Sequence, residues 1–370
     1  MTALEELSLL LRPAGAGLPL VSTGRAEQER LVRRFHGAAS DEEVRARFRE
    51  RLARLPSARA VVLGVPSDVG AGYLRGANLG PQAIRTRLLD DQPDWPARAE
   101  RAGVVDLGDV PCVPQLLHDE MLSEAQLTAS RTALYPGLPP AEASRLPVSP
   151  LSIAERALSL ALSVNPLAAP VVLGGDHSCA WPAVRALAAA RPGLGLVQVD
   201  AHTDLLPERL GVRYCFGTWA FHANDLLGRG GRLTQVGIRA SRHDRAHWEG
   251  TLGVRQFWAA EVRADPARAL DAILAHVRAS GVSAVYLSND VDGTDAAFAD
   301  ATGTPEPEGL LPGFVADLIR RLGREVGIAG ADLSEVAPPL ARSPGGAERT
   351  LAVAARYLRE TLAAVLGTPV

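Results

Sequence analysis

From residue 59 onward the chain alternates short apolar runs with longer stretches of helical periodicity. The runs are Ala60–Gly64, Val104–Leu107, Pro170–Gly174, Leu194–Asp200, Arg232–Ile238, Val282–Asp290 and Val326–Asp332. They are rich in Val, Ile and Leu and lack polar alternation, which suits strands buried on both faces. Between them, Pro81–Leu89, Ile153–Leu162, Pro266–Ala279 and Pro312–Arg324 read as helices, and Glu348–Leu366 as a C-terminal helix. Strand followed by helix, repeated, predicts an α/β fold: a three-layer α/β/α sandwich on a mainly parallel sheet of about eight strands. Ligands of such folds bind beyond the carboxyl ends of the strands, so the residues closing each run are the ones to inspect.

Residues 1–56 read as an N-terminal extension and residues 57–370 as one main domain. In the extension, Ser40-Asp-Glu-Glu43 has the form of a capping box that opens a helix running to about Leu55. Val44, Phe48, Leu52 and Leu55 recur at helical spacing and predict a face packed on the main body or on a neighbouring subunit. The rhythm breaks over residues 111–150, a Pro-rich and weakly periodic insertion expected to be either a lid or a surface excursion.

The apolar fraction of 47% supports a substantial core. A formal net charge of −3, with arginines alternating with acids, argues against nucleic-acid or anionic-membrane partners. Met1–Leu10 has no basic segment followed by an apolar one, and the longest apolar stretch, Ala154–Val172, is broken by Glu155, Arg156, Asn165 and Pro166. Neither a signal peptide nor a membrane span is expected. Cys112, Cys179 and Cys215 lie far apart without disulfide or metal spacing, which predicts a reducing, cytoplasmic setting.

The chemistry concentrates at three strand ends. These are Gly174-Gly-Asp-His-Ser178, Asp200-Ala-His-Thr-Asp204 and Ser288-Asn-Asp-Val-Asp-Gly-Thr-Asp295. If they converge, His177, Asp200, His202, Asp204, Asp290 and Asp292 bring like charges together out of water, which is costly without a counter-charge. Divalent cations remove that cost, and mixed imidazole and carboxylate ligands suit Mn²⁺, Zn²⁺, Ni²⁺ or Fe²⁺. Asp-x-His and Asp-x-Asp spacing on extended backbone turns alternate side chains to one side, so each motif can offer two ligands to one pocket. Taken singly, Gly-Gly-Asp-His-Ser reads equally well as a turn, and Asp290 and Asp292 as helix caps. Three such motifs in order, each at a strand end, point to a two-metal site.

These motifs resemble those of the ureohydrolase family, which includes arginase and agmatinase. The resemblance spans roughly residues 58–340 and takes in Gly64-Val-Pro-Ser-Asp68, Gly76–Arg85, Ala301-Thr-Gly-Thr-Pro305 and Ser334-Glu-Val-Ala-Pro338. It implies one metal held by His177, Asp200, Asp204 and Asp290, and another by His202, Asp200, Asp290 and Asp292. It further implies two Mn²⁺ or Ni²⁺ ions whose shared hydroxide attacks a guanidinium carbon and releases urea. Asp204 would relay a proton to the leaving amine, and Glu335 would grip the guanidinium.

The sequence also departs from the family. Arginases and agmatinases carry a histidine before a Gly in the loop after the second motif, whereas Tyr214-Cys-Phe-Gly-Thr-Trp219 places Phe216 there. A phenyl ring cannot shuttle protons. Tyr214, Phe216 and Trp219 instead suggest an aromatic wall on which a guanidinium stacks, with ordinary core aromatics as the alternative. A pocket narrowed by Phe216 favours guanidine or a short guanidino acid over arginine, with agmatine also within the class. Arg239 and Arg242 are candidate carboxylate partners, while His222, His243 and His247 read as surface histidines and Cys215 as an inert thiol. The expected activity is C–N hydrolysis of a small guanidino compound by a homo-oligomer. Formimidoylglutamase-type hydrolysis of an amidine, and a silent metal-binding relative of the same fold, are the alternatives.

Overall fold

The computed structural model describes all residues, Met1–Val370. Its sheet contains β1 (Ala60–Val65), β2 (Val104–Asp109), β3 (Ala169–Gly174), β4 (Leu194–Val199), β5 (Leu233–Ile238), β6 (Arg255–Trp258), β7 (Ala284–Asp290) and β8 (Ile328–Ser334). The order across the sheet is β2-β1-β3-β8-β7-β4-β5-β6, and every neighbouring pair is parallel. Helices cover both faces, which is why the runs are continuously apolar. In β1, Val61, Leu63 and Val65 enter one buried cluster while Ala60 and Val62 enter the cluster on the opposite face.

β6 lies outside the runs read from the sequence. It is a short edge strand whose first and last residues are half-buried, so Arg255-Gln-Phe-Trp258 never needed a continuous apolar pattern. The helices Gly80–Asp91, Pro150–Val164, Pro266–Ala279, Pro312–Glu325 and Gly346–Leu366 match the stretches expected.

The first residues belong to the main body. Leu7, Leu10, Leu11, Phe48, Leu52 and Leu55 are buried in the same core cluster as Leu63 and Val65. Arg12 forms an antiparallel bridge with Asp109 at the edge of β2, and Arg156 grips Glu6 through two hydrogen bonds. The helix Asp41–Leu52 begins at Ser40, whose hydroxyl accepts from Glu43 N at 3.2 Å. The other half of the expected capping box is displaced, because the Glu43 carboxylate accepts from Ala39 N and not from Ser40 N.

The 111–150 insertion is ordered secondary structure and is docked on the body. It contains the helices Glu124–Leu134 and Pro140–Ala143, and the first of these opens with a complete capping box at Ser123 and Gln126. Leu117, Leu127, Tyr135, Leu146 and Val148 are buried in the core, and the Asp119 carboxylate accepts from the backbone N–H groups of Val148 and Ser149. Capping and apolar docking replace the expected loop. No helix of the chain is long and apolar enough to cross a membrane.

Candidate metal centre

All three motifs end at the carboxyl edge of the middle strands β3, β4 and β7, beside β8. β3 leads into the turn His177–Cys179, where Asp176 caps by accepting from Ser178 N. Close approach decides two positions here. A side chain on Gly175 would collide with the Ser67 carbonyl, and a Cβ on Gly293 would come within 2.8 Å of Asp200 N.

The ligand atoms converge as the motifs predict. Nδ1 of His177 lies 3.1 Å from Asp200, 3.3 Å from Asp204 and 3.1 Å from Asp290, measured to Oδ2 of each. Nδ1 of His202 lies 3.0 Å from Asp292 Oδ2 and 3.7 Å from Asp200 Oδ1. Two ligand clusters result, His177/Asp200/Asp290 and Asp200/His202/Asp292, and Asp200 belongs to both.

The residues fit divalent ions on the structure's own terms. Nδ1 of His177 is buried and makes no hydrogen bond, although it faces three carboxylates. Its Nε2 meets Ser288 Oγ at 2.8 Å, which fixes the ring so that Nδ1 points into the cluster. The electrostatics agree. Burial and then Asp292 and Asp200 push the Asp290 carboxyl well above its usual range, and burial and then Asp200 push Asp204 up to about 6. Burial opposes charge on His202, yet Asp292 and Asp200 outweigh it and raise the imidazole to about 12. Protons stand in for missing positive charge, and a cation shared by these ligands relieves both effects.

A layer of partners holds the cluster. Asp200 Oδ2 accepts from Gln198 Nε2 at 2.7 Å, and its Oδ1 accepts from His202 N at 2.7 Å. Gln198 heads a buried relay across the sheet, in which Gln235 donates to Gln198, Gln256 to Gln235 and the Trp258 indole to Gln256. Asp292 accepts from Ala201 N and Thr304 Oγ1, and Asp290 accepts from Asp292 N. Ser288, Gln198 and Thr304 were not singled out from the sequence. The available signal was a polar residue two positions before a ligand on a buried strand, which places Gln198 beside Asp200 and Ser288 beside Asp290 on one face.

Asp204 and Glu335 share a further property. Both are non-glycine residues in left-handed backbone, at φ 52° and 63°. Such conformations cost energy and persist where the surroundings impose them, commonly at functional sites. Glu335 follows β8, and its carboxylate accepts from His177 N at 2.9 Å. Burial and then the Asp176 carboxylate push the Glu335 carboxyl well above its usual range, so the position favours a cationic partner.

The aromatic wall does not form as expected. Trp219 is fully buried, donates its indole N–H to Asp204 Oδ2 at 2.9 Å and packs against His177 with ring centroids 4.6 Å apart. It therefore supports two candidate ligands and offers no open face. Tyr214 is buried too, stacked on Trp181 and against His118. Phe216 is half-buried, and its ring does stack on a guanidinium, that of Arg209 at 4.8 Å. Arg239 is no substrate partner either, because its guanidinium is consumed by the carbonyls of Gly237, Asp292, Gly293, Thr294, Glu306 and Pro307. Arg242, His243 and His247 are exposed, while His222 is packed among Trp181, Tyr214 and Phe221. Cys215 is a buried free thiol, as are Cys112 and Cys179.

The arginase family model matches residues 58–364. Among curated proteins, the guanidinobutyrase of Pseudomonas aeruginosa is 31% identical over 296 residues, spanning 78% of this chain and 81% of that protein. The mitochondrial agmatinase of Gallus gallus is 32% identical over 290 residues, spanning 75% of this chain and 74% of that protein. Among solved structures, the agmatine ureohydrolase of Thermoplasma volcanium aligns at 29% identity and a TM-score of 0.60, covering 84% of this chain and 90% of that one. With its eight-stranded parallel sheet, its paired His/Asp clusters and a match that spans most of its length, this chain belongs to the arginase family and is a hydrolase of C–N bonds.

Proposed function

We propose that the protein hydrolyses a small guanidino compound and releases urea, with two divalent ions, Mn²⁺ or Ni²⁺, held by His177, Asp200, His202, Asp204, Asp290 and Asp292. The observation that carries this reading is the pair of ligand clusters sharing Asp200, with the unpartnered His177 Nδ1 aimed into one of them. When bound, the ions would supply a hydroxide nucleophile near neutral pH and offset the carboxylate charge.

The chain's own residues do the rest. Glu335 takes the guanidinium by charge-assisted hydrogen bonding and turns its carbon towards the cluster. Asp204 takes up the proton released from the nucleophile and passes it to the departing nitrogen. Its Oδ2 lies 3.3 Å from His177 Nδ1, within the ligand cluster, which puts the carboxylate in reach of that proton. Trp219 holds Asp204 Oδ2 in place for it. This assignment leaves no duty for a histidine at position 216.

Removing the indole N–H tests the Trp219 role. Trp219→Phe keeps an aromatic ring against His177 and is expected to lower turnover by about 10- to 100-fold, with weaker metal retention against a competing chelator. Unchanged turnover and retention would reduce Trp219 to packing.

The direct test of function is urea release by the Mn²⁺- or Ni²⁺-loaded protein on guanidine, guanidinoacetate, guanidinopropionate, guanidinobutyrate, agmatine and arginine, with formamide release from formiminoglutamate measured alongside. Turnover of a guanidino compound is expected. Turnover of formiminoglutamate alone, or silence across the panel with both metals bound, would refute the reading.

A further inference from the structure

Two exposed arginines without carboxylate partners, Arg209 and Arg342, rest on residues that adjoin the site. Arg209 forms no ion pair and no side-chain hydrogen bond, and its guanidinium rests on the Phe216 ring at 4.8 Å. Its backbone is pinned, because Arg209 N and O both bond to Val212 at 2.9 Å. Phe216 is itself anchored, donating its N–H to Gly70 O at 3.0 Å, and Gly70 lies against Ser178, the neighbour of His177. Phe216 therefore seats the Arg209 cation one layer out from the ligand cluster.

Arg342 is the second. It is exposed, its one side-chain hydrogen bond is to the Gly303 carbonyl at 3.3 Å, and it has no acid within ion-pair distance. Gly303 borders Glu335: a Cβ built on it would stand 3.8 Å from Oε2. Of the other charges nearby, Arg75 is held by Asp68, and Glu306 lies 4.0 Å from His202 Nε2. Glu306 is anchored through its backbone carbonyl to Arg239 on the His202 side, whereas the two arginines have no acid within ion-pair distance.

We infer that Arg209 and Arg342 select a substrate whose tail ends in a carboxylate, so that the enzyme acts on short ω-guanidino acids in preference to guanidino amines. The inference rests on the proposed function, since Glu335 must hold the guanidinium end for the tail to reach outward. The chemistry is complementary at both ends: one acid in the site for the cationic head, and two unpaired cations on adjoining residues for the anionic tail. A guanidino amine would bring a second positive charge to Arg209 and Arg342 and be repelled. Arginine fork geometry suits bidentate carboxylate recognition.

The test compares guanidinobutyrate with agmatine, which share a guanidinium on a four-carbon chain but differ in the terminal charge. Steady-state kinetics on the metal-loaded enzyme are expected to favour guanidinobutyrate by at least tenfold in kcat/KM. Arg209→Ala and Arg342→Ala are each expected to raise KM for guanidinobutyrate about tenfold with smaller changes in kcat, and to shrink the guanidinobutyrate-to-agmatine ratio. Arg209→Glu should reverse the preference, at unchanged metal content and melting temperature. Agmatine preferred by the unaltered enzyme, or ratios unmoved by all three substitutions, overturns the inference while leaving the guanidino-hydrolase reading intact. Silence on both compounds and on the rest of the guanidino panel overturns both together.

Discussion

Asp200→Ala is expected to abolish urea release, with a fall of at least about 10³-fold and a loss of metal from both positions. Asp200 is the residue common to the two clusters, reaching His177 Nδ1 at 3.1 Å through one oxygen and His202 Nδ1 at 3.7 Å through the other. Deleting it removes a ligand from each ion at once and leaves Gln198 Nε2 facing a cavity. Two-metal activation lowers the barrier by several kcal/mol, and each ~1.4 kcal/mol is tenfold in rate, which sets the expected scale. Elemental analysis of the purified variant should find fewer than two ions per chain. Full metal content with near-normal turnover would refute a shared ligand at this position.

Glu335→Gln should separate substrate binding from metal binding. The amide keeps the shape and can still accept from His177 N, so the turn bearing His177 should hold. What disappears is the charge opposite the guanidinium. Truncating one side of a buried charged pair costs roughly 2–5 kcal/mol, so kcat/KM should fall at least about 30-fold and by as much as about 10³-fold. Metal content should stay at the level of the unaltered protein. A parallel loss of metal would assign Glu335 to supporting His177, and unchanged kinetics would remove it from the site.

The two substitutions predict opposite patterns: lost metal with lost activity for Asp200, and retained metal with lost activity for Glu335. Trp219→Phe should fall between them, because it removes the N–H bond to Asp204 while keeping an aromatic ring against His177.

Much of this arrangement was legible in the one-dimensional pattern, for a local reason. A strand buried on both faces must be apolar throughout, so the runs marked β1–β5, β7 and β8 directly, and the charged residues ending three of them stood out against that background. Asp200 and His202 follow β4 directly and share one pocket, whereas Asp292 reaches it from the 3-10 turn Val291–Gly293 that Asp290 caps, and not by the extended alternation expected. The resemblance to a known family supplied the pairing of ligands, which spacing alone leaves open.

Other features required the folded chain. Strand order is set by crossover packing over long separations, so nothing local announced that β8 lies between β3 and β7 and brings Glu335 against His177. The short edge strand β6 escaped notice because an edge imposes little on composition. The 111–150 segment looked like a loop because its helices are short and each buries a single residue, Leu127 and Ala143, which leaves no apolar periodicity. Aromatic residues show least of all from sequence which way they face. Trp219 and Phe216 are three positions apart, yet one is sealed beneath Asp204 and the other seats Arg209. The layered α/β class and the metal-seeking residues can be read along the chain, because burial and charge leave marks at short range. Which oxygen meets which nitrogen, which aromatic supports the site and which arginines remain unpaired emerge on folding, because those outcomes depend on contacts between segments far apart in the chain.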